Sequence, residues 1–195
     1  MQGDRVLDYR INIAAKEGEC DRVIALLDEL STDDLSRSVY AYQALVSAAE
    51  AGRVNVLEVL YDRGIPLDLS INGSLNALER AAAVGNADAV GFLLDKGVDM
   101  PRRSSLVDWA GTDVRLVKLL LSNQADIDAR DELGRTPLIY AVVKNKADVV
   151  DLLISLGADI HAKDNNGYDA VRYATIRQHA RILASLRKAL THTDP

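Results

Sequence analysis

Cysteine, tryptophan and phenylalanine occur once each in this sequence of 195 residues, and aromatic residues make up 5% of it. The single cysteine, Cys20, excludes an internal disulfide bond and fits a reducing compartment. So few aromatic side chains indicate thin layers between packed elements rather than a deep aromatic core. Together with a hydrophobic content of 48%, this composition is typical of a soluble helical protein.

Long apolar segments and a leader are also missing. No run approaches the roughly 18 apolar residues that a membrane-spanning helix needs. The first five residues, from Met1 to Arg5, do not have the basic, apolar and small-residue pattern of a secretory signal. We therefore expect a cytoplasmic protein with no membrane partner. The alternative is a mature chain from which a signal was removed.

The sequence has no cluster of catalytic or metal-ligating residues. The three histidines, His161, His179 and His192, have no companion at ligand spacing. Without a nearby histidine, Cys20 is better interpreted as a small structural residue than as a nucleophile. Residues 85–91 lack the Lys-Ser/Thr ending of a phosphate-binding loop. We expect no metal, no cofactor and no small-molecule substrate, and an enzyme is the least favoured alternative.

The strongest positive signal is an internal repeat. Residues 131–141 align with residues 164–174 at a shift of 33 residues. A period of this size indicates a stack of small modules, none of which buries an apolar face alone. It directs the search for function towards a surface rather than a catalytic pocket.

Each module is predicted to contain a helix of small residues, a turn, and a second helix rich in Val and Leu. In the second helices, apolar residues spaced three and four apart share one face. Gly64, Gly97 and Gly157 are predicted to end three of them in a left-handed conformation. The first helices are anchored by Ile11, Leu45, Leu78, Leu106, Leu138 and Val171. The turn between the two helices is marked by Gly18, Gly52, Gly85, Asn145 and Gln178.

These features resemble the ankyrin repeat, whose signature is Thr-Pro-Leu-His-x-Ala. The match is best at Thr136-Pro137-Leu138, with Ala141 in place and Ile139 where His is usual. Thr136 can cap the first helix, and Pro137 fits its first turn. The resemblance implies an all-α solenoid of stacked helix-turn-helix modules with capping repeats at both ends. We expect one domain over residues 1–195, with approximate modules 1–36, 37–69, 70–100, 101–127, 128–160 and 161–195.

The fourth module departs most from the pattern. Its anchor follows the previous one by 28 residues, so the turn at 100–105 is predicted to be shorter than the repeat period requires. Trp109 stands where other modules have Ala. Either Trp109 fills the space left by the short turn, or it faces a partner as an anchor. Arg102 and Arg103 are either solvated or bind a partner carboxylate.

The family resemblance also implies a binding surface. Partners of similar proteins meet the turn tips and the exposed side of the first helices, which line a concave groove. The alternative is that most of these positions are ordinary solvated surface, with Tyr40 and Tyr42 covering a loop. The implied tips are Tyr40, Tyr42, Glu132, Leu133, Arg135, Asn165, Asn166 and Tyr168. The implied first-helix positions are Lys16, Glu17, Glu50, Val84, Lys144 and Arg177.

Charge is uneven along the chain. Residues 1–100 hold 9 Lys and Arg against 17 Asp and Glu, whereas residues 101–195 hold 14 against 12. The acidic half is expected to repel nucleic acid and to attract a basic partner. We expect a non-enzymatic module that binds another protein, and the charge of residues 1–100 favours a basic partner. The sharper alternative, implied by the resemblance to small ankyrin repeat proteins, is an immunity-type inhibitor that neutralises a cognate toxin or enzyme.

Overall fold

A computed structural model describes residues 2–29, 39–99, 106–109 and 113–193. Within these ranges the chain forms six pairs of helices and no strand. Packing divides it into two compact units, Met1–Pro101 and Arg102–Pro195, called unit 1 and unit 2 below. Each unit is described by itself, and the single domain over residues 1–195 stays a prediction.

Unit 1 contains three helix pairs. The first helices pack side by side, with α3 between α1 and α5, and the second helices form a parallel row in which α4 contacts α2 and α6. The apolar spacing of three and four residues explains this arrangement, because it gives each helix one face to bury. The helices are α1 (Gln2–Glu17), α2 (Cys20–Asp28), α3 (Val39–Glu50), α4 (Val54–Asp62), α5 (Ala77–Val84) and α6 (Ala87–Asp95).

Unit 2 repeats the plan. Here α9 contacts α7 and α11 in the row of first helices, and α10 contacts α8 and α12 in the row of second helices. The first helix of its first pair, α7, is a single short turn. The helices are α7 (Leu106–Trp109), α8 (Val114–Ser122), α9 (Pro137–Val143), α10 (Ala147–Ser155), α11 (Ala170–Ile176) and α12 (Ala180–Thr193).

The predicted anchors form the core. Five of the six, from Ile11 to Leu138, are at most 1% exposed, so they contribute the apolar burial that holds neighbouring pairs together. The sixth, Val171, is half-buried, because α11 packs in its row against α9 alone. The alanines three residues after the anchors are fully buried, which lets adjacent first helices approach closely; they are Ala14, Ala48, Ala81, Ala141 and Ala174.

Helix ends follow the sequence prediction. The hydroxyl of Thr136 accepts a hydrogen bond from the N–H of Ile139, and Pro137 opens α9. The inter-helix turns use the left-handed conformation even where glycine is absent. Asn145 has φ 57° and Gln178 has φ 58°, at the positions where Gly18, Gly52 and Gly85 stand in unit 1. Asparagine tolerates this conformation better than most residues.

A ladder of side chains joins consecutive pairs within each unit. It uses the residue eight positions after three of the anchors, just before the second helix. In unit 1, Nε of Arg53 donates to the carbonyl of Lys16 at 2.7 Å, and Nδ2 of Asn86 donates to the carbonyl of Glu50. In unit 2, Nδ1 of His179 lies 3.0 Å from the carbonyl of Val142. Each bond satisfies a carbonyl at the end of the preceding first helix.

Some predicted irregularities lie outside the described residues. These are the polar loop at 31–36, the short turn at 100–105 with Arg102 and Arg103, and the segment at 111–112. Trp109 is described, and only 4% of it is exposed. This corrects the alternative in which Trp109 faces a partner, because a buried ring offers almost no contact area. Trp109 therefore leaves the set of candidate partner contacts.

Candidate partner-binding surface

The turn tip at residues 131–135 is organised by one carboxylate. Oδ1 of Asp131 accepts hydrogen bonds from the N–H groups of Leu133 at 2.9 Å and Arg135 at 2.8 Å. Its Oδ2 accepts from Nε of Arg135 at 2.7 Å, and Nη2 of Arg135 lies 2.6 Å away. This two-point pairing holds the guanidinium at the tip in a fixed orientation.

The next tip, at residues 164–168, has the same backbone but a different partner for its carboxylate. Oδ1 of Asp164 accepts from the N–H groups of Asn166 and Tyr168, both at 2.9 Å. Oδ2 accepts from the hydroxyl of Tyr173 at 2.7 Å. Only 6% of Asp164 is exposed. Asp164 is therefore a buried, fully bonded part of the turn and not a contact for a partner.

The pKa values of this pair reflect its bonding. Burial alone would raise the pKa of Asp164, but hydrogen bonds from the Tyr173 hydroxyl and two backbone N–H groups together lower that pKa below its usual value. The pKa of Tyr173 is raised, first by its bond to Asp164 and then by burial. The positive charges of Arg135 and Arg177 oppose that rise.

The two tips interlock. The N–H of Asn165 donates to the carbonyl of Leu133 at 3.0 Å, and its side chain donates to the carbonyl of Glu132 at 3.1 Å. Nη1 of Arg130 bridges the tips by donating to the carbonyls of Gly134 and Lys163. The predicted contact Asn165 therefore has a structural role, whereas Leu133 projects outwards and is 53% exposed.

Cations lie on tyrosine rings beside these tips. The guanidinium carbon of Arg135 is 5.0 Å from the centroid of the Tyr140 ring, and Nζ of Lys144 is 5.3 Å from the same centroid. The guanidinium carbon of Arg172 is 4.1 Å from the centroid of the Tyr168 ring. Attraction between a cation and a π face contributes about 0.5–1 kcal/mol at exposed sites. The rings therefore orient the cations.

These groups lie on two adjacent modules of unit 2, whose tips bond to each other. The rings of Tyr168 and Tyr173 meet edge to face, with centroids 5.7 Å apart. Lys144, Arg172 and Arg177 are exposed, and no salt bridge engages them in the described residues. We call this patch the tyrosine surface; it consists of Arg135, Tyr140, Lys144, Tyr168, Arg172, Tyr173 and Arg177.

Sequence reasoning found four members of the tyrosine surface and missed three. Arg135, Lys144, Tyr168 and Arg177 were predicted contacts, whereas Tyr140, Arg172 and Tyr173 were not. A signal for two of these was available, because Tyr140 and Tyr173 stand 33 residues apart, each two residues after its anchor. Of the other predicted positions, Glu132 and Asn166 are exposed at the tips.

Unit 1 arranges the corresponding positions differently. The hydroxyl of Tyr42 donates to the carbonyl of Leu75 at 2.9 Å, and Glu50 is paired with Arg80. Tyr40 is half-buried at the start of α3. Val84 is 57% exposed. Of these predicted contacts, only Val84 presents a largely exposed side chain.

In α3 of unit 1 the position of Tyr140 and Tyr173 is internal. There it is occupied by Ser47, which is 6% exposed and donates to Oδ1 of Asn12 at 2.8 Å. Nδ2 of Asn12 donates in turn to Oε1 of Gln43 at 3.1 Å. The same module position thus joins α3 to α1 in unit 1 and carries an aromatic ring in α9 and α11 of unit 2.

The acidic residues of unit 1 lie on both rows of helices. The first helices carry Asp4, Asp8, Glu17, Glu50 and Glu79, the last of which closes a capping box with Asn76. A groove lined by first helices would therefore hold only part of the acidic charge predicted for it. The exposed acidic side chains described on the second helices are Asp21, Asp28, Glu58, Asp62, Asp88 and Asp95.

No chemical centre accompanies these surfaces in the described residues. They contain no group of three or more His, Cys, Asp or Glu that could hold a metal ion. Cys20 contacts Nδ2 of Asn55 at 3.3 Å, and His179 belongs to the ladder. None of the helices in the described ranges has both the length and the apolarity to cross a membrane.

Comparisons with known proteins agree with the geometry. The family model described as ankyrin repeats in three copies matches twice, at residues 11–104 and 108–194. The chain is 27% identical over 153 residues to the ankyrin repeat and KH domain-containing protein mask-1 of Caenorhabditis elegans, covering 69% of this chain and 6% of that protein. It is 34% identical over 113 residues to the ankyrin repeat, SAM and basic leucine zipper domain-containing protein 1 of Equus caballus, covering 53% and 24%. The match thus spans a quarter or less of these curated relatives.

Two solved structures share the fold. One is a chain of the complex between the Bd0816 predatory endopeptidase from Bdellovibrio bacteriovorus and the immunity protein Bd3460, with TM-score 0.76 and 22% identity. That alignment covers 92% of this chain and 97% of the other. The second is the human ASB11 ankyrin repeat domain, with TM-score 0.76 and 21% identity, covering 92% and 82%. At these identities the likeness concerns the fold alone.

Proposed function

The chain belongs to the ankyrin repeat family, and from that premise we propose that it binds a partner protein and catalyses no reaction itself. The contact surface includes the tyrosine surface of unit 2 and the exposed tip side chains Glu132, Leu133 and Asn166. In unit 1, taken by itself, the proposed contacts are Val84 and the half-buried Tyr40, Tyr42 and Glu50. The free cysteine, Cys20, supports a cytoplasmic location.

The observation that carries this proposal is the pairing of exposed cations with tyrosine rings beside an exposed leucine. Arginine and tyrosine are enriched in the residues that dominate binding energy at protein interfaces. The tips are already fixed by Asp131 and Asp164. Because the side chains are held before binding, little conformational entropy opposes complex formation.

The net charge of unit 1 favours a partner with basic groups. Electrostatic steering acts over a Debye length of about 8 Å at physiological salt. The acidic second helices can therefore speed association without lying in the contact itself, and the effect falls more on the association rate than on the final affinity. The same field disfavours nucleic acid as a partner.

The experiment is a quantitative affinity purification with the full chain and two variants that carry the same charge change. Lys144→Glu alters the tyrosine surface, whereas Lys118→Glu alters an exposed position on α8. We expect a stoichiometric partner to be retained by the wild-type chain and by Lys118→Glu and lost from Lys144→Glu. Equal retention by both variants, with unchanged circular dichroism, would remove the proposed surface.

The second candidate function is inhibition of a toxin or enzyme. It is favoured by the structural likeness to a chain from the complex of an endopeptidase with an immunity protein, of which 97% is covered. The test is to mix the captured partner with this chain at a 1:1 ratio and to follow the partner's activity. Loss of activity at equimolar ratio identifies an inhibitor, whereas full activity in the complex identifies a binding module alone.

A further inference from the structure

The exposed cations of the tyrosine surface indicate which kind of partner segment it binds. Resting on the proposed function, we propose that it takes an acidic segment of the partner protein. Carboxylates of that segment lie against Lys144, Arg172 and Arg177, and its apolar groups cover Leu133. The acidic segment is a feature of unit 2 alone and is separate from the basic groups that unit 1 attracts.

The balance of available charge supports an anionic segment. Two of the acidic groups at this surface are already engaged: Asp131 pairs with Arg135, and Asp164 is buried and fully hydrogen-bonded. Asp169 caps α11 by accepting from the N–H of Arg172 at 2.7 Å. Glu132 remains as an exposed anion at the tip. Against it stand the three exposed cations Lys144, Arg172 and Arg177.

The geometry of the cations suits carboxylates. The guanidinium carbon of Arg172 lies 4.1 Å from the centroid of Tyr168, so the ring holds the guanidinium beside the tip. The N–H groups lie around the edge of the guanidinium plane, and this fork matches the two oxygens of a carboxylate. A contact that restricts the guanidinium before binding reduces the entropy lost when the pair forms.

The hydroxyl of Tyr140 is a second feature that favours a carboxylate as the ligand. The equivalent hydroxyl of Tyr173 donates to Asp164 at 2.7 Å. Asp131, the equivalent carboxylate in the previous module, is taken by Arg135 instead. Tyr140 is half-buried, and among the described residues its hydroxyl has no hydrogen-bond partner. A phenol in this state is ready to donate to an incoming carboxylate.

A protein segment fits better than nucleic acid. Polyphosphate binding depends on many cations along the backbone of the strand, whereas here three exposed cations stand on two adjacent modules. The whole chain carries a net charge of −6, so a long polyanion would be repelled beyond this patch. A short run of Glu or Asp meets the cations without extending into the acidic region.

The test is an NMR titration of the 15N-labelled full chain with a 12-residue peptide of alternating Glu and Ser. The matched probe alternates Gln and Ser, and a 12-residue oligodeoxythymidylate serves as the nucleic-acid probe. We expect the Glu peptide alone to shift amide signals within residues 131–144 and 164–177. Equal shifts from the Gln peptide, or tighter binding of the oligonucleotide at these amides, would overturn the inference.

Two triple variants test which charges carry the binding. The first replaces Lys144, Arg172 and Arg177 by Gln. The control replaces the exposed residues Lys118, Lys146 and Arg187 by Gln and so removes the same charge. Each exposed ion pair changes affinity about two- to threefold, so the first variant is expected to bind the Glu peptide about tenfold more weakly than the control. Equal affinities for the two variants would contradict the inference.

A single variant tests the hydroxyl. Tyr140→Phe keeps the ring under Arg135 and Lys144 and removes one donor, so we expect about threefold weaker binding of the Glu peptide. Unchanged affinity would exclude the hydroxyl from the contact.

Retention of the natural partner by two variants distinguishes failure of the acidic-segment inference from failure of the proposed function. A partner that is retained by the first triple variant but lost from Tyr168→Ala would sink the acidic segment and leave the proposed function standing. A partner retained by both variants would remove both the acidic segment and the tyrosine surface as the contact. Thermal melts of each variant exclude loss of fold as the cause.

Discussion

Unit 1 and unit 2 share one helical plan but use equivalent positions for opposite purposes. Two residues after the anchor, unit 1 has Ser47, which bonds to Asn12 inside the unit, and Arg80, which pairs with Glu50. Unit 2 has Tyr140 and Tyr173, whose rings belong to a patch with exposed cations. Because both units repeat the same helix pairs, the comparison teaches that the units differ through side chains at a few repeated positions.

The turn tips differ in the same way. In unit 1 the tip at residues 71–74 is closed by a backbone bond from the N–H of Ser74 to the carbonyl of Ile71 at 2.9 Å. In unit 2 the tips are closed around the carboxylates of Asp131 and Asp164. A carboxylate that accepts several bonds holds a loop more firmly than one backbone bond does. Unit 2 therefore presents the more rigid surface.

The largest expected effect comes from removing the buried carboxylate. Asp164→Ala leaves the Tyr173 hydroxyl and two N–H groups without an acceptor, so we expect the free energy of unfolding of unit 2 to fall by about 3 kcal/mol. Urea denaturation followed by fluorescence of Trp109, the only tryptophan, reports on this unit. Glu132→Ala, an exposed change at the neighbouring tip, is the control and should have almost no effect. Equal stability of the two variants would refute the role given to Asp164.

Low pH should lower the free energy of unfolding of unit 2 through protonation of Asp164. The pKa of Asp164 is lowered by folding from its ordinary value of 3.8, so the stability it contributes is present above that pH. It is lost as the pH falls below about 4 towards the folded-state pKa. Asp28 of unit 1 also has a lowered pKa, through its hydrogen bond with Arg63, but its exposure makes the contribution small.

The measurement is urea denaturation of the wild-type chain and of Asp164→Asn between pH 6 and pH 3. The free energy of unfolding of the wild-type chain should exceed that of the variant at pH 6, and this difference should shrink as the pH falls to 3. A constant difference between the two proteins would contradict the assigned pKa shift.

Replacing Tyr140 in α9 by serine, the residue at the equivalent position of α3, should weaken partner binding more than it lowers the free energy of unfolding. Tyr140→Ser removes the ring that supports Arg135 and Lys144, so we expect about tenfold weaker retention of the partner, or about 1.4 kcal/mol. Ser47→Ala in unit 1 serves as the comparison and should leave retention unchanged. Isothermal titration with the captured partner gives both values. Equal losses of partner affinity in Tyr140→Ser and Ser47→Ala would contradict the proposal that this position contacts the partner only in unit 2.

The smallest expected effect concerns the ladder, which both units share. His179→Ala and Asn86→Ala each remove one side-chain bond to a carbonyl of the preceding module. Each should lower the free energy of unfolding by about 1 kcal/mol, measured by urea denaturation with circular dichroism. Neither should change partner retention. A loss of binding without loss of stability in either variant would mean that the ladder takes part in the contact.

The repeat period made the fold predictable. The anchors and the alanines three residues later follow from close packing between copies, and all but Val171 are buried as expected. The left-handed turns were predictable even at Asn145 and Gln178, because the period aligned them with glycines. The burial of Trp109 was one of two alternatives, and packing decided between them.

The surface was harder to predict because the family pattern says which positions are exposed but not which side chains meet. Asn165 stays a predicted contact, because it is exposed, and its amide also bonds to the adjacent tip. Arg172 occupies the position of Ile139, which is 1% exposed, yet Arg172 is exposed and lies on the Tyr168 ring, a contact that the period does not indicate. The choice of Arg135 rather than Tyr140 as the partner of Asp131 depends on three-dimensional geometry that no spacing encodes.

Hydrogen–deuterium exchange of the full chain, with and without its captured partner, tests most directly whether the tyrosine surface is the contact. The partner should slow exchange in residues 131–144 and 164–177, with little change in α10 and α12. Protection confined to the second helices, with the turn tips and α9 and α11 unchanged, would contradict the account.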